Sequence, residues 1–134
     1  MTSYKSPAKL NLFLNIINKR NDGYHNIQSA IHLINLFDFL TFQKREDNKV
    51  VLKSNIKGLE KQNLVLESFK LIKKKYHIKR FGMNIELIKN IPLGSGLGGA
   101  SSNAATTLMA LKKIWNLKID KKELMSLASS LGSD

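Results

Sequence analysis

The chain has 134 residues, a length that fits one domain with a hydrophobic core. Hydrophobic residues make up 43% and charged residues 24%, which is ordinary for a globular protein, and no apolar run approaches the ~18 residues of a membrane span. The lack of cysteine excludes disulfides and thiolate metal sites and favours a cytoplasmic protein. The first twenty residues, interrupted by Asn11 and Asn15, are predicted to belong to the mature protein and not to a signal peptide.

The formal net charge of +12 allows several classes of partner. A basic chain can bind nucleic acid, membrane surfaces or anionic metabolites. Lysine, asparagine and isoleucine are all abundant here and all have AT-rich codons, so codon bias explains much of the charge. The longest basic run, residues 73–75, falls at the end of a predicted helix, where cations suit the helix dipole. The charge therefore predicts solvated lysines, without a membrane or nucleic-acid partner.

Alternation of apolar and polar residues predicts strands in the first half of the chain. Residues 8–17 form one such pattern, which places Lys9 and Asn11 on the same polar face. The polar residues 18–23 predict a turn, and extended structure returns over residues 24–42 with a break near 35–38. A further short strand is predicted at residues 49–54.

The second half of the chain is predicted to be mostly helical. Asn63 is suited to cap a helix that runs to about His77, and a strand over residues 81–88 buries alternate side chains. Two helices follow, one from about Ser101 to Trp115 and one that starts with a capping-box-like pair and ends near Gly132. The pair is Asp120 and Glu123. The strand is predicted to bury Met83, Ile85 and Leu87, and the last helix carries an apolar stripe that includes Leu124, Leu127, Ala128 and Leu131. Strands first and helices later predict an α+β fold.

A glycine-rich loop lies between the last strand and the helix that follows it. Four glycines fall within six residues, so the backbone can turn its N–H groups towards a phosphate, and the helix N-terminus favours an anion. The serine hydroxyls at the end of the loop can donate to phosphate oxygens. The predicted phosphate-binding residues are Pro92, Leu93, Gly94, Ser95, Gly96, Leu97, Gly98, Gly99, Ala100, Ser101 and Ser102.

Three well-known nucleotide-binding motifs do not fit this loop. A Walker A loop needs lysine after its last glycine, where this chain has Ala100. The spacing of Gly94, Gly96 and Gly99 matches a dinucleotide-binding fingerprint, but the next element is a second helix instead of a parallel strand. The strands that follow a protein-kinase glycine loop are missing as well.

The remaining pattern, P-x-G-x-G-L-G-G-x-S-S-N-A, resembles the central motif of the kinase superfamily that includes galactokinase, homoserine kinase and mevalonate kinase. The segments SPAKLNLFL, DGYH and LGSD resemble one branch, which phosphorylates a hydroxyl of a cytidine diphosphate-linked polyol for isoprenoid precursor synthesis. The resemblance implies a transferase that uses ATP with Mg²⁺. It also implies a sheet with helices packed on it, like the second domain of ribosomal protein S5.

The resemblance also assigns roles to single residues. Lys9 matches a catalytic cation, and Asp134 matches the general base that acts on the substrate hydroxyl. Tyr24 and His25 match residues that hold the cytidine ring, while Asn11 is expected to contact substrate. Asn63 matches a position near the adenine. No metal site built by the protein is predicted, because Mg²⁺ would arrive with ATP and stay bound to phosphate and water.

Members of this superfamily continue past the position of Asp134 into a second domain. The resemblance therefore implies that residues 1–134 correspond to an incomplete N-terminal kinase domain, which we expect to be weakly active or inactive alone. A separately encoded C-terminal half is one predicted partner. The alternative function is a non-enzymatic module that binds RNA or another partner, for which affinity would fall steeply with salt. Dispersed lysines and the lack of an aromatic RNA-reading motif count against it.

Overall fold

A computed structural model describes residues 1–19, 25–59, 63–79 and 82–131. Side chains are described for these residues except in the range 10–32. The strands are β1 (Thr2–Lys19), β2 (His25–Arg45), β3 (Val50–Ser54) and β4 (Gly82–Ile88). The helices are α1 (Leu64–Lys75), α2 (Gly99–Ile114) and α3 (Lys121–Leu131). The predicted α+β fold is confirmed.

The strands form one sheet in the order β1-β2-β4-β3. The pairs β1–β2 and β2–β4 are antiparallel, whereas β3 and β4 are parallel and are joined through α1. Parallel neighbours need such a crossover, because a tight turn cannot reverse the chain twice. Helix α2 contacts β1, β2 and both other helices, so it lies at the centre of the helical layer.

The core lies between one face of the sheet and the helices. Alternate residues of β4 are buried, which confirms the prediction for Met83, Ile85 and Leu87. Phe69 of α1 meets the Trp115 ring edge-on with centroids 5.0 Å apart, a favoured aromatic geometry. The fully buried large side chains are Phe42, Phe69, Leu40, Ile72, Met83, Ile85, Leu87, Ile91, Leu108, Leu111, Val65 and Thr107.

The predicted break near residues 35–38 is wrong, because β2 runs without interruption from His25 to Arg45. The register shifts there: Pro7 pairs with Phe37, but Ala8 pairs with Ile34. Two extra residues of β2 thus form a bulge, which bends a strand without ending it. A second shift between Asn11 and Phe13 interrupts the alternation predicted over residues 8–17. Residues 18 and 19 of the predicted turn belong to β1, and its remainder lies outside the described residues.

The predicted cap of α1 is confirmed, and so is the Asp120 half of the capping-box-like pair at α3, whereas the Glu123 carboxylate contacts Tyr76 and Lys75. Asn63 Oδ1 accepts from the backbone N–H groups of Val65 (2.7 Å) and Leu66 (3.2 Å). Asp120 Oδ1 accepts from the N–H of Glu123 at 2.7 Å. Helix α1 ends at Lys75, two residues before the predicted end, and His77 then adopts a left-handed φ of 53°. The predicted stop at residue 132 lies outside the described residues.

The carboxylate of Glu123 joins α3 to the end of α1. It accepts a hydrogen bond from the Tyr76 hydroxyl at 2.7 Å and lies 3.3 Å from Lys75 Nζ. Burial, followed by this hydrogen bond, raises the pKa of Tyr76 to about 12. The same hydrogen bond, followed by the contact with Lys75, lowers the pKa of Glu123. The pair therefore prefers a neutral tyrosine and an ionised glutamate.

Candidate nucleotide-binding site

The glycine-rich loop connects the end of β4 to α2, as its sequence predicts. Gly94, Gly96 and Gly98 have φ values of 67°, 76° and 69°. An L-residue in this left-handed region costs roughly 1–2 kcal/mol, whereas glycine adopts it freely. Glycine is therefore required at three alternate positions to give the loop its path.

Helix α2 begins at Gly99, two residues before the predicted start. Its N-cap is Gly98, which has no side chain to cap this end, in contrast to Asn63 and Asp120 at the starts of α1 and α3. The first N–H groups of a helix have no acceptor within the helix, and the helix dipole favours an anion there. The start of α2 can therefore donate backbone hydrogen bonds to a phosphate group.

Two adjoining cavities lie at this end of the sheet. A hollow of about 210 Å³ is lined by residues 92–100 and Lys89. A smaller cavity of about 40 Å³ shares Lys89, Leu93 and Ala100 with it. The smaller cavity is mostly apolar, and its other lining residues are Leu59, Asn63, Leu64, Val65, Leu87 and Asn103. A phosphate-sized hollow thus lies beside an apolar cleft that has a few amide groups.

A larger hollow of about 480 Å³ lies over the face of the sheet that the helices leave exposed. Its lining includes the polar side chains of Thr41, Gln43, Lys53 and Glu86. Among the predicted site residues whose side chains the structure describes, none lines this hollow. Its size is therefore no reason to place the candidate site away from the loop.

Lys9 lies directly against the loop. Its backbone N–H donates to the carbonyl of Leu97 at 2.8 Å. A Cβ atom added to Gly98 would stand 2.6 Å from Lys9 Cε, so the lysine stem packs on the glycine itself. The structure therefore brings together the predicted cation and the predicted phosphate-binding loop, although they are far apart in sequence.

The other predicted contacts are described to different extents. Asn63 lines the smaller cavity, but its Oδ1 accepts the two cap bonds and its Nδ2 donates to the Leu59 carbonyl at 2.6 Å. Asn11 lies in β1, where the register is unbroken from Ala8 to Asn11, and His25 is the first residue of β2. The side chains of Asn11 and His25 lie outside the described part, as do Tyr24 and Asp134 entirely.

The two serines at the start of α2 differ in their contacts. The Ser102 hydroxyl lies 2.9 Å from the hydroxyl of Ser6 in β1, so the two side chains share a hydrogen bond within the protein. Ser101 is half-buried in the first turn of the helix. Phosphate binding by these hydroxyls stays a prediction.

Sequence reasoning missed a buried ion pair below the loop. Asp38 of β2 and Lys89, which directly follows β4, are both buried, and Lys89 Nζ donates to Asp38 Oδ2 at 2.5 Å. A signal was present, since Asp38 is a single acid within the apolar run LINLFDFLTF. A fully buried aspartate nearly always has a partner, so this pattern could have pointed to one.

Within the described ranges, no three or more histidine, aspartate or glutamate residues come together in a group that could hold a metal ion. Across the same ranges, no helix has both the length and the apolar character to cross a membrane.

The sheet, the glycine loop and the helix that opens from it form an α+β domain of the kind found in small-molecule kinases. The family model for the N-terminal domain of GHMP kinases matches residues 63–134, and the chain belongs to that family. The sheet and helices described above are those of this family's N-terminal half.

Two curated relatives carry the same enzyme name. The chain is 44% identical to the 4-diphosphocytidyl-2-C-methyl-D-erythritol kinase of Francisella philomiragia, over 100% of this chain and 49% of that protein. It is 49% identical to the kinase of the same name from Prochlorococcus marinus, over 97% of this chain and 42% of that protein. The chain thus spans about half the length of the curated relatives it matches.

A solved structure gives the same relationship. The crystal structure of 4-(cytidine 5'-diphospho)-2C-methyl-D-erythritol kinase superposes with a TM-score of 0.83 at 32% identity. The match covers 99% of this chain and 47% of that chain. The fold implied by the resemblance is therefore confirmed for the N-terminal half.

Proposed function

We propose that this chain supplies the ATP-binding half of a kinase that phosphorylates the 2-hydroxyl of 4-diphosphocytidyl-2-C-methyl-D-erythritol, a step in isoprenoid precursor synthesis. The observation that carries the proposal is the contact between Lys9 and the glycine loop. Phosphoryl transfer depends on positioning and on neutralising charge at the transferred group. A lysine packed on a phosphate-binding loop is suited to both tasks.

The shape of the site supports ATP as the phosphate donor. The hollow within the loop would hold the phosphates at the start of α2, and the apolar cavity beside it would hold part of the adenine. Asn63 lies at that cavity, and among the described residues only the Leu59 carbonyl accepts from its amide NH₂ group. Mg²⁺ bound to the phosphates would supply further charge neutralisation.

The substrate side of the proposal comes from the family resemblance and from the relatives' names. Asp134 would accept the proton of the attacking hydroxyl, and Lys9 would stabilise charge on the transferred phosphoryl group. Tyr24 and His25 would hold the cytidine ring, and Asn11 would contact the polyol. These roles remain proposals for the residues named.

The proposed function is tested by incubating the chain with γ-labelled ATP and 4-diphosphocytidyl-2-C-methyl-D-erythritol. Because the chain spans about half the length of its curated relatives, we expect only a low level of labelled phosphate on the substrate, and we expect Lys9→Ala to abolish it. Lys5→Ala is the matched control, because Lys5 is an exposed lysine of the same strand whose Nζ lies 5.3 Å from the centroid of the Phe37 ring. Failure of the folded chain both to bind ADP and to transfer phosphate, or equal loss of transfer in both variants, would contradict the proposal.

The alternative of an RNA-binding module is not favoured, since the relatives at high identity are named kinases. No comparison supports the predicted separately encoded C-terminal partner. RNA affinity that falls with added salt in the absence of ATP binding would reverse this ranking.

A further inference from the structure

Five polar side chains form a connected cluster beneath the glycine loop. They are Ser6 of β1, Asp38 of β2, Lys89 after β4, and Ser102 and Asn103 of α2. We call this cluster the buried polar network. Ser6 and Asp38 have no exposed surface, Asn103 is 3% exposed and Lys89 is 7% exposed. Such groups are tolerated in a core only when they are paired.

Asp38 is the centre of the buried polar network. Its Oδ1 accepts from the backbone N–H groups of Asn90 (2.7 Å) and Ile91 (2.8 Å). Its Oδ2 accepts from Lys89 Nζ at 2.5 Å and from Asn103 Nδ2 at 3.0 Å. One carboxylate therefore holds the backbone where the chain leaves β4 and enters the loop.

The far end of the loop is held by the same cluster. Lys89 Nζ also donates to Asn103 Oδ1 at 3.0 Å, and a Cβ atom added to Gly99 would stand 3.0 Å from that nitrogen. Lys89 thus lies against the first residue of α2. Because Asp38 also holds Lys89 in place, it constrains the backbone position at both the entry and the exit of the loop.

The network also reaches the strand that carries Lys9. Ser6, three residues before Lys9 on β1, accepts from Asn103 Nδ2 at 2.8 Å and lies 2.9 Å from the Ser102 hydroxyl. These bonds join β1 to the first turns of α2. The position of Lys9 relative to the loop is therefore tied to the same side chains.

Stability alone is a weak explanation for such a cluster. A buried ion pair often contributes little net stability, because desolvation offsets the attraction between the charges. We propose that Asp38 is a positioning residue. Through the buried polar network, Asp38 fixes both ends of the glycine loop relative to Lys9. A phosphate bound by the loop then lies at a fixed distance and orientation from the lysine side chain. The proposal rests on the proposed nucleotide-binding function of the loop.

The central test compares Asp38→Asn with the double variant Asp38→Asn/Lys89→Met. Asparagine keeps an acceptor for the two backbone N–H groups, and the double variant removes both charges, so its stability should recover towards wild type. Amide hydrogen exchange over residues 93–99 is measured without ligand, and ADP binding is measured by calorimetry. Arg45→Met/Asp47→Asn is the matched control, since it removes an ion pair of 2.7 Å that is remote from the loop.

A positioning role predicts a double variant of near wild-type stability whose ligand-free loop exchanges faster and which binds ADP roughly 10- to 100-fold more weakly. Because Lys89 also lines the hollow within the loop, weaker ADP binding with wild-type exchange would overturn the proposal. Wild-type exchange and wild-type affinity in a stable double variant would overturn the proposal. If the double variant does not fold, Ser6→Ala is the second test. This substitution removes the hydrogen bonds between β1 and α2 that the Ser6 hydroxyl makes, and it leaves both charges in place. Faster loop exchange in folded Ser6→Ala supports the role, and unchanged exchange overturns it.

The exchange measurement separates this proposal from the proposed function. If wild type binds no ADP and transfers no phosphate, the proposed function fails. The effect of the variants on the ligand-free loop would still show whether the buried polar network positions it. Where transfer is measurable, we expect Ser6→Ala to lower kcat more than it raises the KM for ATP, because Ser6 supports the strand of Lys9.

Discussion

The side chain of Lys9 packs on the backbone of Gly98, with its Cε 2.6 Å from where a Cβ of residue 98 would stand. Gly98 also caps α2 with a left-handed φ of 69°. The residue therefore has two reasons to be glycine, one in its own backbone and one in its neighbour. These two reasons can be separated by substitution.

Gly98→Ala is expected to displace the loop or Lys9 and to weaken ADP binding by roughly tenfold or more. The backbone strain alone should lower the free energy of unfolding by about 1–2 kcal/mol. Gly96→Ala is the matched control, because its φ is 76° and nothing lies within 4 Å of a Cβ built there. Equal ADP affinity in the two variants would show that the contact between Gly98 and Lys9 does not contribute to ADP binding.

Asn63→Ala is expected to lower the free energy of unfolding by about 1 kcal/mol, because α1 loses its side-chain cap. Asn63→Ser keeps a cap acceptor but lacks the amide that lines the smaller cavity. We expect Asn63→Ser to retain most of the stability and to bind ADP more weakly, as measured by urea unfolding and calorimetry. Wild-type ADP affinity in this variant would argue against a role at the adenine.

The Tyr76–Glu123 pair predicts a defined pH dependence of stability. The pKa of Tyr76 is raised to about 12 from an ordinary value near 10, so its contribution is complete below about pH 10 and is lost as the pH rises towards 12. Urea unfolding of Tyr76→Phe should therefore show a flatter decline in this range. An equally steep decline in Tyr76→Phe would show that Tyr76 does not contribute to the pH dependence of stability in this range.

Glu123 gives the opposite dependence in acid. Its lowered pKa means that the contribution is present above its ordinary pKa and is lost as the pH falls through the folded-state value. Glu123→Gln should remove part of the acid-induced loss of stability. An unchanged acid profile in urea unfolding would show that the contacts with Tyr76 and Lys75 do not act on this carboxylate in solution.

Substitutions at two neighbouring residues of α2 test which face of this helix packs into the core. Leu108 is fully buried, so Leu108→Ala should lower the free energy of unfolding by about 2–5 kcal/mol. Met109 is 57% exposed, and Met109→Ala should change the free energy of unfolding by less than about 0.5 kcal/mol. Similar losses in the two variants would mean that this helix presents a different face to the sheet.

Much of the local structure is predictable from this sequence because its causes are local. Asn63 and Asp120 cap the helices that they precede, and alternation in β4 identifies the buried side chains. The predicted break in β2 is wrong because a bulge depends on the partner strand, and the polar Asn35 alone does not reveal it. The predicted start of α2 is two residues late, because the low helix propensity of glycine favours a loop at Gly99.

By itself, the sequence determined the loop. Alternate glycines between a strand and a helix specify a backbone that can hold phosphate, and the flanking motifs identify the kinase family. The tertiary structure decided what surrounds that loop. Lys9 meets Gly98 and Asp38 meets Lys89 only because sheet register and helix packing bring distant parts of the chain together. Such contacts follow from the packing of the whole domain, and no short stretch of sequence encodes them.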